Sequence, residues 1–351
     1  MPTGPENQAI GVRHRDRSDV PLGEIATLIR DLYGMQVSDA KVLGGEVDHN
    51  LCVTDAHGRK FLAKLTPASA PRDAVLWQES VLAHLAQRPL SVEVPRMLPN
   101  RQGDVHCNVS VGGEPYLLRL LSWIDGELMA TAVEHPPRLL RQLGRVAAEI
   151  TEAMEGLVQP AGLTAHHWQV TRSPEAIENS IDAVSDPECR RAVETILGWF
   201  REAAQVFDKL PTATVHQDLN DFNVLVTPPD SGEVRLTGVL DFNDAVTTIR
   251  VAELAVAGAY AMLRKADPVS AFCEVVAGYR EVIEMTEEEL DAVFPLAATR
   301  LCVNAATWTK RTSKQKHRYG EARKEATWPT VLQIARVDPA EVVSRIRRVR
   351  T

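Results

Sequence analysis

The pattern of hydrophobic residues changes at Asp125-Gly126, and this change limits the folds open to the chain. Before it, residues 38–124 mostly follow the two-residue alternation of β-strands, interrupted by helical spacing at 71–87. After it, helical spacing dominates, as at 137–154, around a strand, turn and strand at 224–240. The pattern predicts an α+β, two-lobed fold. The N-terminal lobe is small and β-rich with one helix between its strands, and the larger C-terminal lobe is mainly helical with an embedded β-hairpin.

The length of the chain agrees with two lobes, because 351 residues exceed what one hydrophobic core usually supports. Hydrophobic residues make up 44% and charged residues 25%, which is typical of a globular protein. We expect residues 1–20 to be a mobile leader, since they are polar and have no periodicity. Residues 21–125 are predicted to form a nucleotide-binding lobe, and residues 126–351 a catalytic and acceptor-binding lobe.

Charge and cysteine usage exclude several classes of protein. The net charge of −8 argues against a nucleic-acid surface, which needs an excess of Lys and Arg. The five cysteines are scattered without a CxxC pair, which favours reduced thiols over disulfides or zinc. No segment approaches the roughly 18 apolar residues of a membrane span, and the polar N-terminus is unlike a signal peptide. The sequence therefore predicts a cytoplasmic protein without nucleic-acid or membrane partners.

The most specific motif runs from His216 to Asn223, with the sequence HQDLNDFN, directly before a predicted strand. Phosphoryl transfer needs a carboxylate that accepts the proton of the attacking hydroxyl, and oxygen ligands for Mg²⁺. Asp218 is the predicted base, and Asn223 and Asp241 are the predicted metal ligands. A hairpin places the residue before its first strand beside the residue after its second, so Asn223 and Asp241 can converge. His216 is expected to hold the loop by hydrogen bonds. This spacing is that of the protein-kinase catalytic loop.

The alternative interpretation is that His216, Asp218 and Asp221 only form turns between strands. Elements earlier in the chain favour the catalytic interpretation because they occur in the matching order.

These elements are a glycine-bearing loop, a strand lysine and a helical glutamate. Gly44 and Gly45, in a loop that ends at Asn50, can bring backbone N–H groups close to phosphates. Lys64 is predicted to bind the α- and β-phosphates, and Glu79, on the inner face of its helix, to hold that lysine.

A hinge is predicted immediately before the lobe boundary. Leu121, Trp123 and Ile124 belong to this hinge, whose backbone is expected to bind the purine.

In combination, these motifs resemble the aminoglycoside phosphotransferase and choline kinase group, which has a protein-kinase-like fold. The resemblance covers about residues 42–279. Within the group, residues 218–223, Gly238-Val-Leu-Asp-Phe and Ala252-Glu-Leu-Ala are most similar to hydroxylysine kinases. This implies phosphorylation of an amino-acid side-chain hydroxyl, with GTP as donor. Gln217 and Asn243 depart from residues common in the group, but neither removes a predicted catalytic atom.

Three further residues are candidates for acceptor binding. Asp244 and Glu253 follow the metal motif and are candidates for binding an ammonium group, whereas the alternative for Glu253 is to brace the catalytic loop. Trp308 is a candidate wall of the pocket, with packing as its alternative. The basic segment 310–324 is either a solvated helix face or an anion-binding edge of the acceptor pocket.

The sequence thus predicts a Mg²⁺-dependent small-molecule kinase that transfers the γ-phosphate of ATP or GTP. Its predicted partners are the nucleotide and a small hydroxyl-bearing, cationic or zwitterionic acceptor, such as 5-hydroxylysine. The alternatives are an antibiotic O-phosphotransferase of the aminoglycoside type and a nucleotide-binding pseudokinase or scaffold. A protein-substrate kinase is disfavoured, because no A-P-E anchor follows Asp241.

Overall fold

The structure, a computed structural model, describes residues 21–43, 45, 47–132, 134–163, 166–228, 232–314 and 317–349. These residues form two compact units. One comprises the described residues up to Ala70 together with Arg96–Trp123, and the other comprises Pro71–Pro95 and the described residues from Ile124 onwards. The predicted leader, residues 1–20, lies outside the described residues. The sequence analysis placed the helix at 71–87 with the N-terminal lobe, whereas its contacts group it with the second unit.

The first unit is an antiparallel sheet with one helix. Its elements are α1 (Leu22–Tyr33), β1 (Val37–Val42), β2 (His49–Asp55), β3 (Lys60–Pro67), β4 (Met97–Leu98), β5 (Cys107–Val111) and β6 (Glu114–Ser122). The strands lie in the order β1-β2-β3-β6-β4, with β5 also paired to β6. The register places Asn50 opposite Lys64 and Leu62 opposite Leu121.

The core of this unit lies between α1 and the sheet. Ile25 and Ile29, four residues apart and therefore on one face of α1, are fully buried with Leu51 and Leu118 from the strands. Gly34 ends the helix in the left-handed conformation, with φ of 72°, and its N–H binds the Arg30 carbonyl.

The second unit is mainly helical. Its elements are α2 (Arg72–Leu85), β7 (Glu127–Leu128), α3 (Pro137–Ala153), α4 (Ser173–Glu178), α5 (Pro187–Ala204), β8 (Thr212–Val215), β9 (Val224–Val226), β10 (Leu236–Val239), β11 (Val246–Ile249), α6 (Val251–Ala261), α7 (Pro268–Arg280), α8 (Glu287–Lys314), α9 (Arg318–Ile334) and α10 (Pro339–Arg348). Strands β10, β9 and β7 form one sheet, and β11 pairs with β8. Among the described residues, no helix is long and apolar enough to cross a membrane.

Helices α3 and α7 pack closely because glycines lie at their crossing. A Cβ on Gly144 would stand 1.8 Å from the Val275 carbonyl oxygen, and one on Gly278 would stand 1.9 Å from the Arg141 carbonyl oxygen. Any larger residue at either position would push the helices apart.

The α+β class predicted from the sequence is confirmed, including the β-hairpin of β9 and β10 within the helical part. The sequence analysis did not identify β11. This strand has only four residues, and it follows a short 3-10 helix at Phe242–Asp244.

Candidate active site

Strand pairing in the second unit brings two connecting segments side by side. The segment 216–223 runs from β8 to β9, and the segment 240–245 runs from β10 to β11. Because β10 pairs with β9 and β11 pairs with β8, the two segments must lie next to each other. A backbone hydrogen bond of 2.8 Å from the Leu240 N–H to the Asn223 carbonyl joins them.

His216 fixes the start of the first segment. Its Nε2 lies 2.8 Å from the Leu240 carbonyl oxygen, and its Nδ1 accepts a 3.2 Å hydrogen bond from the Asp218 N–H. Because one ring nitrogen donates and the other accepts, the imidazole is neutral. Burial also lowers the pKa of His216. The predicted role of His216 as a loop holder agrees with these contacts.

The Asp218 carboxylate is held on both of its oxygens. Oδ2 accepts hydrogen bonds from Asn220 Nδ2 at 2.9 Å and from Asn223 Nδ2 at 2.7 Å, and Oδ1 accepts one from Arg300 Nη2 at 2.8 Å. Burial raises the pKa of Asp218, while the Arg300 guanidinium opposes that rise. The side chain remains 22% exposed, so a small molecule can reach it.

Asn223 and Asp241 present oxygen atoms that suit a hard dication. An ionised carboxylate only accepts hydrogen bonds, so the Asn223 atom beside Asp218 must be Nδ2, which leaves Oδ1 for a metal. Asp241 is exposed and adopts a left-handed backbone conformation with φ of 59°. It lies close enough to Asp218 for its charge to raise the pKa of that residue.

The described residues contain no group of three or more His, Cys, Asp or Glu side chains arranged to bind a metal. Mg²⁺ commonly uses one or two protein carboxylates and takes its other ligands from substrate phosphates and water. The donor set of Asn223 and Asp241 therefore fits Mg²⁺ bound together with a nucleotide.

Glu253, on α6, supports the backbone of the segment 216–223. It is fully buried, and its Oε2 accepts a 3.1 Å hydrogen bond from the Gln217 N–H. Gln217 has a positive φ of 68°, which is strained for a residue with a side chain. Burial raises the pKa of Glu253 to about 8. This contact agrees with the bracing alternative, and the burial gives no support to Glu253 as an acceptor-binding residue.

Asp221 anchors the loop to two arginines. Its carboxylate pairs with Arg323 of α9, which is buried, and with Arg264 at 2.6 Å. Burial alone would raise the pKa of Asp221, but the two cations outweigh this effect and hold the pKa below its usual value. From the sequence, Asp221 was assigned a turn-forming role only in the alternative interpretation, and no partner was predicted for it. This pairing connects α9 to the segment 216–223.

An aromatic and cationic region adjoins Asp218. The Arg300 guanidinium carbon lies 5.0 Å from the centre of the Trp168 ring. Burial would lower the pKa of Arg300, but Tyr260, Asp218 and Asp244 hold it above its usual value, so the predicted acceptor-binding residue Asp244 lies nearby. Trp308, also predicted there, is buried.

Burial and the charge of Arg300 lower the pKa of His166 to about 4, so this imidazole is neutral at physiological pH.

In the first unit, Lys64 has a partner that the sequence analysis did not foresee. Its Nζ lies 3.0 Å from Asp48 Oδ2, and both side chains are buried. Thr66 also donates a hydrogen bond of 2.7 Å to Asp48. Burial would raise the pKa of Asp48, but Lys64 and Thr66 together hold it below its usual value. Glu79 is buried in the second unit, and its pairing with Lys64 stays a prediction.

The remaining predicted nucleotide-binding residues lie in both units. A Cβ on Gly45 would stand 2.5 Å from the Asp48 carbonyl oxygen and 2.7 Å from Asn50 Nδ2, so the tight turn requires glycine. Gly44 lies outside the described residues. Leu121 is buried in β6, Trp123 follows that strand, and Ile124 is buried in the second unit. Their role as a hinge for the purine stays a prediction.

Sequence reasoning missed Arg300, which lies 82 residues after its partner Asp218. One signal was present, because Arg300 is an isolated charge in the otherwise uncharged stretch 292–306. Asp48 and Asn220 were also missed. They lie inside the two loops that the sequence analysis identified, but their spacing does not reveal which side chains they contact.

The sequence of the chain matches a known enzyme family. Residues 39–288 match the sequence profile described as the phosphotransferase enzyme family. The chain belongs to this phosphotransferase family.

Relatives of known activity point to the same chemistry. The chain is 25% identical over 290 residues to a hydroxylysine kinase from Danio rerio, covering 80% of this chain and 81% of the relative. It is 27% identical over 300 residues to a hydroxylysine kinase from Mus musculus, covering 79% and 78%. These relatives are kinases, which agrees with the phosphotransferase family of this chain.

Solved structures with a similar fold support the kinase-like architecture of this phosphotransferase. A microcompartment-associated aminopropanol kinase superposes with a TM-score of 0.67 at 17% identity, covering 92% of this chain and 99% of that one. An amicoumacin kinase, solved with AMP-PNP and Ca²⁺, gives a TM-score of 0.66 at 14% identity, covering 91% and 96%. At these identities the likeness concerns the fold.

Proposed function

We propose that this phosphotransferase transfers the γ-phosphate of ATP or GTP, with Mg²⁺, to the side-chain hydroxyl of an amino-acid-like acceptor. The first candidate acceptor is 5-hydroxylysine. The observation that carries the proposal is the Asp218 carboxylate, which is partly exposed and oriented by Asn223 on one oxygen and Arg300 on the other.

Asp218 acts as the base in this proposal. The acceptor hydroxyl approaches its carboxylate, donates its proton to it, and attacks the γ-phosphorus as the bond to the β-phosphate oxygen breaks. The three hydrogen bonds on the carboxylate leave it little freedom to rotate, so it stays aligned with the incoming hydroxyl.

Asn223 Oδ1 and Asp241 would hold Mg²⁺, which when bound neutralises charge on the phosphates. Lys64 is proposed to bind the α- and β-phosphates, supported by Glu79, and the loop with Gly44, Gly45 and Asn50 to cover them. We propose that the backbone of Leu121, Trp123 and Ile124 binds the purine. A cytoplasmic location belongs to the same proposal, since the five cysteines are free thiols.

The acceptor proposal rests on the relatives and on charge. The similar proteins named above include kinases of hydroxylysine, aminopropanol and amicoumacin. Asp244, beside Arg300, is the residue proposed to bind an ammonium group of the acceptor.

An acceptor screen with both triphosphates tests the function, with mass gain of one phosphoryl group as the readout. The panel contains 5-hydroxylysine, amino alcohols and aminoglycosides. In Asp218→Asn, kcat should fall about 10²- to 10⁴-fold while thermal stability stays near that of the wild type. Unchanged turnover in that variant rules out Asp218 as the base. Nucleotide binding with no turnover on any acceptor favours the pseudokinase alternative, and turnover only on aminoglycosides favours the antibiotic phosphotransferase.

A further inference from the structure

One face of the sheet in the first unit carries two buried cations. Leu65, between Lys64 and Thr66 in β3, is buried in the core beside α1, so its two neighbours lie on the opposite face. The register places Arg119 of β6 directly opposite Lys64, which puts Arg119 on that face as well. Asn50 of β2 is also paired with Lys64. Arg119 therefore lies on the same face as two residues that are predicted to bind the nucleotide.

A chain of hydrogen bonds joins Arg119 to Asp48. Arg119 Nη2 donates a 2.8 Å hydrogen bond to Thr66 Oγ1, and the Thr66 hydroxyl donates one of 2.7 Å to Asp48 Oδ1. The other oxygen of this carboxylate, Oδ2, lies 3.0 Å from Lys64 Nζ. All four residues are buried. The Asp48 carboxylate thus lies between two cations, one in direct contact and one connected through a hydroxyl group.

Nucleotide binding would change the partner of this carboxylate. If Lys64 binds the α- and β-phosphates, their oxygens compete with Asp48 for the same ammonium group. A buried carboxylate without a cation is strongly unfavourable, so a second cation has to compensate. Arg119 is close enough to do so. Burial raises the pKa of Asp48, and the charges of Lys64 and Arg119 are among the causes that hold it below its usual value.

We propose that Arg119 is a positioning residue of the nucleotide site, which holds the Asp48 carboxylate while Lys64 exchanges it for the phosphates. The inference rests on the proposed function, because it takes Lys64 as a phosphate-binding residue. Arg119 itself does not bind the phosphates in this proposal, and its effect on nucleotide affinity passes through Asp48. The effect should therefore disappear when residue 48 carries no charge.

The test measures the Kd of ATP and GTP with Mg²⁺ by calorimetry. Arg119→Met should raise Kd about tenfold, the scale of one hydrogen bond to a charged group, because displacing Asp48 from Lys64 then leaves a buried carboxylate without a cation. Arg119→Lys should keep part of the affinity. Thr66→Val removes the connecting hydroxyl, changes no charge, and should also raise Kd. Arg30→Met, the control, removes an arginine from an exposed pair on α1 and should leave Kd unchanged.

The deciding comparison repeats these substitutions in an Asp48→Asn background. Asp48→Asn alone should bind the nucleotide more tightly than the wild type, because the competing carboxylate is gone. Adding Arg119→Met should then change Kd by less than about twofold, the usual scatter between changes that do not interact. Equal weakening in both backgrounds, or no weakening in the wild-type background, overturns the inference. If Arg119→Met does not fold, Thr66→Val in the two backgrounds decides the question by the same criterion.

Lys64→Met separates this inference from the proposed function. If this variant binds nucleotide as tightly as the wild type, the phosphate-binding role of Lys64 fails, and the inference fails with it. A wild type that binds neither triphosphate has the same consequence for both. If Lys64→Met binds weakly but the effect of Arg119→Met persists without the Asp48 charge, the inference alone is refuted.

Discussion

Arg300 Nη2 donates a 2.8 Å hydrogen bond to Asp218 Oδ1, so a buried cation holds the carboxylate that we propose as the base. The other terminal nitrogen of Arg300, Nη1, donates a hydrogen bond to the Trp168 carbonyl oxygen, which fixes the orientation of the guanidinium. Burial raises the pKa of Asp218 and the guanidinium opposes the rise. The arginine therefore favours the ionised form of this carboxylate.

Arg300→Met should move the acidic limb of the pH profile of kcat/KM to higher pH. Without the cation, the pKa of Asp218 rises further, and the base must be deprotonated to act. At neutral pH we expect kcat/KM to fall about 10- to 100-fold, the scale of one hydrogen bond to a charged group. The measurement is a pH–rate profile between pH 5 and 9.

Two further variants distinguish the loss of the Arg300–Asp218 ion pair from a general loss of folded protein. Breaking a buried ion pair typically costs about 3–5 kcal/mol of folding free energy, so Arg300→Met is assayed well below its unfolding temperature. Arg300→Lys keeps the charge and should shift the limb less. Arg336→Met removes an arginine from an exposed pair with Glu188 and should change neither activity nor profile. An acidic limb that stays in place in Arg300→Met contradicts the assigned role.

Asn223→Asp should lose activity although aspartate is the stronger Mg²⁺ ligand. The amide nitrogen lies 2.7 Å from Asp218 Oδ2, so the substitution brings two carboxylates into contact, and they would share a proton. We expect kcat at pH 7 to fall at least about tenfold, which corresponds to one unit of pKa shift. The measurement is kcat against Mg²⁺ concentration. Asn243→Asp makes the same change two residues after Asp241 and should be tolerated, and equal loss in both variants would count against this explanation.

The division into a β-rich and a helical part was predictable because it rests on periodicity. Strands β2 and β3 and helix α3 follow regular alternation or helical spacing, which the sequence shows directly. Strand β11 was not predictable, since it follows a short 3-10 helix without a turn signal of its own and its pairing with β8 joins segments about thirty residues apart.

The position of the segment 216–223 follows from its sequence motif, whereas the partners of its side chains do not. The motif predicts Asp218 as the base and Asn223 and Asp241 as metal ligands, because those side chains and their spacing suit the chemistry of phosphoryl transfer. Arg300 lies beside Asp218 only because α8 packs against α6 in the folded chain. Such tertiary contacts between distant residues leave little signal in one sequence.

Asp48→Asn should make the protein depend more strongly on nucleotide for its stability. Lys64 then remains as a buried cation without the carboxylate that lies 3.0 Å from it, so the free protein is destabilised. In the proposed site, bound triphosphate supplies negative charge to Lys64 and restores part of the loss. Thermal unfolding with and without ATP or GTP measures this difference.

The control for this prediction is Asp39→Asn, which removes an exposed carboxylate from the neighbouring strand β1. It should leave both unfolding temperatures unchanged. If the nucleotide raises the unfolding temperature of Asp48→Asn no more than that of the wild type, Lys64 does not contact the phosphates.

Glu253→Gln should flatten the dependence of stability on pH. The folded protein raises the pKa of Glu253 from 4.5 to about 8, so the protonated carboxyl favours the folded state. Its stabilising contribution is complete below the unfolded pKa and is lost as pH rises through about 8. The unfolding temperature of the wild type should therefore fall between pH 6 and 9. Glutamine cannot ionise, yet its side-chain oxygen can still accept the hydrogen bond from the Gln217 N–H. The unfolding temperature of the variant should therefore fall less over the same pH range. Glu194→Gln, on an exposed position of α5, should follow the wild-type curve. Parallel curves for wild type and Glu253→Gln would show that Glu253 is not the group responsible.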